Sequence, residues 1–218
     1  MKKCAIILVA FILLSAGSLA KENYPYAIGP AVSLKAGING VNTPDGRKNA
    51  ISFNSLPDFG ISSYIPVSKS SKLGAKVDIF YNNYSYNIEN ANSGEDFIHE
   101  YSYLTFGASL YFRGLTMGFV FGAPLSASYG ADIDTDNISA MTEFKISGVI
   151  PLMEDETGRM SMFIRAGYML SGIYEDFGEQ DPLLEEIPAQ GHEVITNEFN
   201  PRAASVAIGF SYLFALDI

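Results

Sequence analysis

The chain has 218 residues, enough for one substantial domain. Hydrophobic residues make up 48% and charged residues 17%, the latter below the roughly 25% usual in soluble domains. A net charge of −10 argues against a nucleic-acid partner, because such partners reward basic patches.

Residues 1–20 read MKKCAIILVAFILLSAGSLA. Lys2 and Lys3 precede a short apolar run, and Ser18-Leu19-Ala20 offers the small residues of a signal-peptidase site, so 1–20 is expected to be a signal peptide and 21–218 the mature domain. An uncleaved N-terminal anchor is the alternative. Cys4 is the only cysteine and lies inside this segment, so the expected mature chain carries neither a disulfide nor thiolate chemistry. Beyond residue 20 no apolar stretch has the length of a transmembrane helix. Crossing a membrane with strands remains open.

Alternation with a period of two then recurs along the chain. The first strand is YAIGPAVSLKAGIN, with Ile28, Val32, Leu34 and Ile38 opposite Gly29, Ser33, Lys35 and Gly37. The second, DFGISSYIPV, sets Phe59, Ile61, Ile65 and Val67 on one face, and the third, LGAKVDIFY, opposes Leu73, Val77 and Ile79 to Lys76 and Asp78. Residues 103–112 and 115–122 form a hairpin in which Leu104, Phe106, Leu110, Met117, Phe119 and Phe121 share the apolar face. The sixth strand, EFKISGVIPL, places Glu143 and Lys145 opposite Phe144 and Ile146, and the seventh, RMSMFIRAGYML, places Arg165 opposite Ile164. The eighth, SVAIGFSYLF, alternates Val206, Ile208 and Phe210 with Ser205, Ala207 and Gly209.

The connections alternate too. Residues 68–72, 113–114 and 153–158 are short turns; segments around 39–57, 82–99, 124–139 and 172–201 are long and polar, the first with a Pro44-Asp45-Gly46 turn signal. An outer-membrane barrel has this asymmetry, with short periplasmic turns and longer extracellular loops. The second face of each strand argues the same way. A water-facing sheet carries many charges, whereas this face is mostly Gly, Ala, Ser, Thr and Tyr, which suit the narrow lumen of a small closed barrel. The expected fold is therefore all-β, a closed antiparallel eight-stranded transmembrane barrel. Lys35, Lys76, Asp78, Glu143, Lys145 and Arg165 would lie in its lumen, paired with one another or with water. Tyr81, Tyr101, Tyr103, Tyr168 and Tyr212 are candidates for interfacial girdles. A soluble barrel with the apolar face turned inward is the alternative.

Near the C-terminus, Gly209, Tyr212 and Phe214 fall in a Gly-x-x-aromatic-x-aromatic order. The pattern resembles the signal by which outer-membrane barrels are recognised by their assembly machinery, although four residues follow Phe214 and Ala207 replaces the usual polar residue. The chain as a whole resembles the small outer-membrane β-barrel proteins of Gram-negative bacteria, with the eight-stranded architecture of the OmpA transmembrane domain and OmpX. That resemblance implies a cell outer-membrane location, with membrane lipid, lipopolysaccharide and the barrel assembly machinery as partners.

Little in the chain points to catalysis. His99 and Ser102 are three residues apart, so a regular strand turns them to opposite faces, which a Ser-His hydrolase cannot use. Asp132, Asp134 and Asp136, with Glu143 in the twelfth position, have calcium-loop spacing, but Asn137 stands where the loop wants Gly. The last long loop carries eight acids from Glu175 to Glu198 and is a second place for divalent cations. The reading is a non-catalytic barrel without cofactors that displays loops at the cell surface. The alternatives are a narrow channel for small solutes and an enzyme acting on lipid or peptide.

Overall fold

The computed structural model describes residues 25–43, 46–67, 73–128, 132–174 and 200–216. The signal-peptide reading, the turn at 68–72 and the acidic segment 175–199 lie outside these. Among the described residues there are eleven strands: β1 (Tyr26–Asn39), β2 (Arg47–Ala50), β3 (Ser52–Phe53), β4 (Asp58–Pro66), β5 (Leu73–Asn90), β6 (Asp96–Phe112), β7 (Leu115–Ser128), β8 (Asp132–Ile133), β9 (Met141–Glu154), β10 (Gly158–Met169) and β11 (Ala203–Leu216). Eight of them, β1, β4, β5, β6, β7, β9, β10 and β11, are hydrogen-bonded in that order, and β11 pairs back to β1, so the sheet closes. They are the eight strands expected from alternation. Every pairing in this ring is antiparallel.

Stepping from pair to pair around the ring, from Gly158 on β10 through Ile28, Val77 and Phe144, returns to β10 at Tyr168, ten residues further on. This stagger tilts the strands, and with eight of them the interior is just wide enough for side chains to fill. Alternation decides the two faces. On β1, Ala27, Ser33, Lys35 and Asn39 are buried inside while Ile28, Val32 and Leu34 are exposed. Leu104, Phe106, Leu110 and Phe112 on β6, Phe119 and Phe121 on β7, and Ile208 and Phe210 on β11 continue the exposed apolar face. From Leu104 to Phe112 the chain rises roughly 27 Å along the strand. At a tilt of about 40° this is on the order of 21 Å along the axis, close to the apolar band of a membrane barrel.

The turns at one end are short for local reasons. Arg113 (φ 51°) and Gly114 (φ 86°) form a two-residue β6–β7 hairpin, whose paired positive φ values match the twist of the flanking strands. At the β9–β10 turn the Asp155 carboxylate accepts the Thr157 N–H (2.8 Å), the Thr157 hydroxyl (2.6 Å) and the Gly158 N–H (3.1 Å). These donors hold the exposed Asp155 carboxyl below its ordinary pKa. Two prolines in the wall coincide with irregularities, as they cannot donate to the ladder. Pro124 lies opposite the β6–β7 register shift, and Pro151 opposite the β9–β10 shift.

Two expectations are corrected. Residues 82–99 are not a long loop: β5 and β6 run 18 and 17 residues and are joined only through 91–95. The segment is polar on both faces, yet Tyr84, Tyr86, Ile88, Phe97, Tyr101 and Tyr103 bury one face of it. Tyr101 and Tyr103 are accordingly not girdle residues, since they are 1% and 0% exposed within the barrel. The other face of the extension is covered by the first loop. Asn54 donates its amide to the Asn83 carbonyl, and Ser85 Oγ donates to Asn54 Oδ1 at 2.7 Å.

Candidate functional site: the lumen charge network

The inward faces of the strands bring the predicted lumen charges together in tiers. Nearest the loop end, Lys35 Nζ lies 2.9 Å from Asp58 Oδ2, donates to the Asn83 carbonyl at 2.9 Å, and sits 3.7 Å from the centre of the Tyr84 ring. Asp58 is wholly buried and also accepts the Asn83 backbone N–H at 2.8 Å. Asn83 lies just past the last β4–β5 pair, Phe59 with Tyr81, so this carboxylate replaces a ladder bond that the sheet cannot supply there. Sequence reasoning missed Asp58. Its parity was the available signal, for it falls on the same face of β4 as Gly60 and Ser62.

Glu143 is buried on the same side of the lumen. Its Oε2 accepts the Tyr84 hydroxyl at 2.9 Å, and its Oε1 accepts the Ser205 hydroxyl at 3.4 Å. The carboxyl lies against Gly167, where an added Cβ would collide with Glu143 Oε1.

In the middle tier Lys145 Nζ pairs with Asp78 Oδ2 at 2.5 Å, and the Ser62 hydroxyl donates to the other Asp78 oxygen. A Cβ at Gly107 would stand 2.8 Å from the Lys145 ammonium, so the small residue leaves room for the charge. Lys76 and Arg165 also face this tier, within electrostatic range of Asp78. The Arg165 guanidinium stands 5.0 Å from the Phe163 ring centre and 5.4 Å from that of Phe80. At the turn end, Arg159 pairs with Glu154 at 3.0 Å. Neither of these two was expected as a site residue.

Above the charged tiers the lumen is closed by aromatic side chains. Tyr84, Tyr86, Tyr101 and Tyr103 are almost completely buried. The Tyr101 hydroxyl shares hydrogen bonds with those of Tyr86 (3.3 Å) and Tyr174 (2.9 Å). The His99 ring stacks on Tyr86 with centroids 4.7 Å apart and an interplanar angle of 12°. His99 lies five residues beyond Leu104, on the order of 13 Å above the apolar band, and burial pushes its pKa down to about 3. Ser102 is on the opposite face of β6, where its hydroxyl donates to Asn83 Oδ1 at 2.7 Å.

Asp134 and Asp136 stand apart from Glu143, which stays in the lumen. Asp134 caps a single 3-10 turn by accepting the Asp136 N–H at 3.1 Å, both side chains are exposed, and the Asp132 side chain lies outside the described residues. Among the described residues no three His, Cys, Asp or Glu groups stand close enough to share a metal ion. On β11, Tyr212 and Phe214 project outward with rings 4.8 Å apart. The Tyr212 hydroxyl lies 3.2 Å from Thr157 Oγ1 in the β9–β10 turn, and Gly209 faces inward beneath the Phe163 ring.

A closed antiparallel ring, apolar outside and polar inside, with short turns at one end, is the architecture of a small outer-membrane β-barrel protein. No protein-family model and no curated protein matches the chain. Among solved structures it is similar to the outer membrane protein OprG from Pseudomonas aeruginosa, at 9% identity and a TM-score of 0.37 over 90% of this chain and 100% of that one. It is also similar to the translocator domain of autotransporter NalP from Neisseria meningitidis, at 8% identity and a TM-score of 0.32 over 95% of each chain. Similarity this distant carries no information about role.

Proposed function

We propose that the protein is a non-catalytic outer-membrane barrel that holds a rigid platform at the cell surface. The observation that carries this reading is the β5–β6 extension. Both strands continue past the apolar band and pack on a buried tyrosine core rather than fraying into loops. A rigid, hydroxyl-rich extension presents a fixed surface to lipopolysaccharide or to a partner. The aromatic closure and the ion pairs beneath it favour a lumen that does not conduct. Membrane lipid and the barrel assembly machinery are the other partners this role requires, with Tyr212 and Phe214 offered to the latter on the last strand.

The test combines fractionation with a gel shift. The folded protein should be recovered in outer-membrane fractions and migrate differently before and after boiling. A Ser93→Cys variant, changed in the β5–β6 turn, should be labelled on intact cells by a membrane-impermeant maleimide. Recovery in the soluble periplasm, or labelling only after lysis, would overturn the reading. A narrow channel is the second reading, favoured by the unpaired Lys76 and Arg165. It predicts conductance in planar bilayers that changes on Lys76→Ala, whereas the platform reading predicts none.

A further inference from the structure

The middle tier of the lumen carries more positive charge than its acids balance. Lys76, Lys145 and Arg165 all face Asp78, and this single carboxylate is engaged by Lys145 and Ser62. Glu143, the acid on the loop side, makes no ion pair with Arg165 within 4 Å and is held instead by Tyr84 and Ser205. Glu154, on the turn side, pairs with Arg159. Lys35, further up, is neutralised by Asp58.

Two buried donors of this tier have no acceptor among the described residues, and the half-buried Lys76 stands beside one of them. The buried Arg165 Nε and the buried Ser109 Oγ each lack a hydrogen-bond partner. Lys76 is paired across the β5–β6 ladder with Ser109, so its side chain leaves the wall beside that hydroxyl. Buried donors without partners are costly, and an unbalanced buried cation more so. A water can accept from such donors, but it does not offset the charge.

We propose that the middle of the lumen is a binding site for one small monovalent inorganic anion, of the chloride class, held by Lys76, Arg165 and Ser109. The anion accepts from the guanidinium, the ammonium and the hydroxyl and lowers the formal charge of the tier, three cations against one carboxylate, from +2 to +1. It is a resident counter-ion of a closed barrel, reached when the turn end breathes, so the inference goes beyond the platform reading and does not depend on surface display.

The probe is chloride itself. The refolded full chain in a zwitterionic detergent is titrated at constant ionic strength by exchanging gluconate for chloride, and the excess ³⁵Cl line width is followed. Saturable broadening is expected, with displacement by bromide. It should fall at least fivefold in Lys76→Met/Arg165→Met and about twofold in Ser109→Ala, with the unboiled gel band retained. Broadening that does not saturate, or that is equal in wild-type and variant barrels, would reduce the effect to exposed lysines and overturn the site. If the double variant fails to fold, Ser109→Ala and bromide displacement on the wild-type protein decide: failure of both overturns the site.

Discussion

Removal of the Asp78 carboxylate is the sharpest perturbation of the lumen. Asp78→Ala leaves Lys145, Lys76 and Arg165 facing one another with no anion between them in the protein. Breaking a buried ion pair from one side costs about 3–5 kcal/mol, because the survivor is left desolvated and uncompensated. Here the survivors are cations that also repel, so Asp78→Ala should cost at least the upper part of that range. Lys145→Met removes the same contact from the other side. Asp78 then keeps the Ser62 hydroxyl and the nearby Lys76, so a smaller loss of about 1–3 kcal/mol is expected. In Asp78→Ala/Lys145→Met the two losses should not add, since each single change disrupts the same interaction. Equilibrium urea unfolding in lipid vesicles, read as the unboiled gel band, measures all three. The chain has no tryptophan, so tyrosine fluorescence is the second probe. Equal costs for the two single variants, or costs below about 1 kcal/mol for both, would refute the reasoning and mean that the tier is hydrated enough to tolerate isolated charges.

Other parts of the molecule give three more expected outcomes. His99 is buried with a pKa pushed down to about 3, against about 6.5 in an unfolded chain. Between those values the unfolded state binds the extra proton, so the contribution is complete above about pH 6.5 and is lost as pH falls toward 3, up to on the order of 5 kcal/mol. Hydrogen exchange at residues 84–101 should therefore accelerate from pH 6.5 to 4 beyond the intrinsic pH effect, and His99→Phe should abolish the excess. Gly167→Val forces a side chain into the space of the Glu143 carboxyl and should cost about 1–3 kcal/mol; Gly167→Val/Glu143→Ala should recover part of it in the same urea assay. Arg113 holds a positive φ of 51°, which asparagine tolerates better, so Arg113→Asn should stabilise the β6–β7 hairpin by roughly 0.5–1 kcal/mol and raise the urea midpoint.

The amino-acid sequence alone determined the wall. A residue's face in a strand depends only on whether its position is odd or even, so eight runs of alternation were enough to place Lys35, Lys76, Asp78, Glu143, Lys145 and Arg165 inside and the Leu and Phe rows outside. Where both faces are polar, as in residues 82–99, parity has no apolar contrast to work with, and the long β5–β6 extension emerged only because the first loop covers its outer face while tyrosines fill its inner one. The same limit explains Tyr101 and Tyr103: amphipathic rings suit an interface and a crowded lumen equally well, and only closure of the ring decided between them. Lys35 meets Asp58, 23 residues on, through the register of the neighbouring strands β1 and β4, in which Ser33 pairs with Asp58, whereas the partner across the lumen was decided by the ten-residue stagger, which brings Lys145 to Asp78 over a separation of 67 residues. No local pattern encodes that stagger, because it is a property of the closed ring and of no single strand.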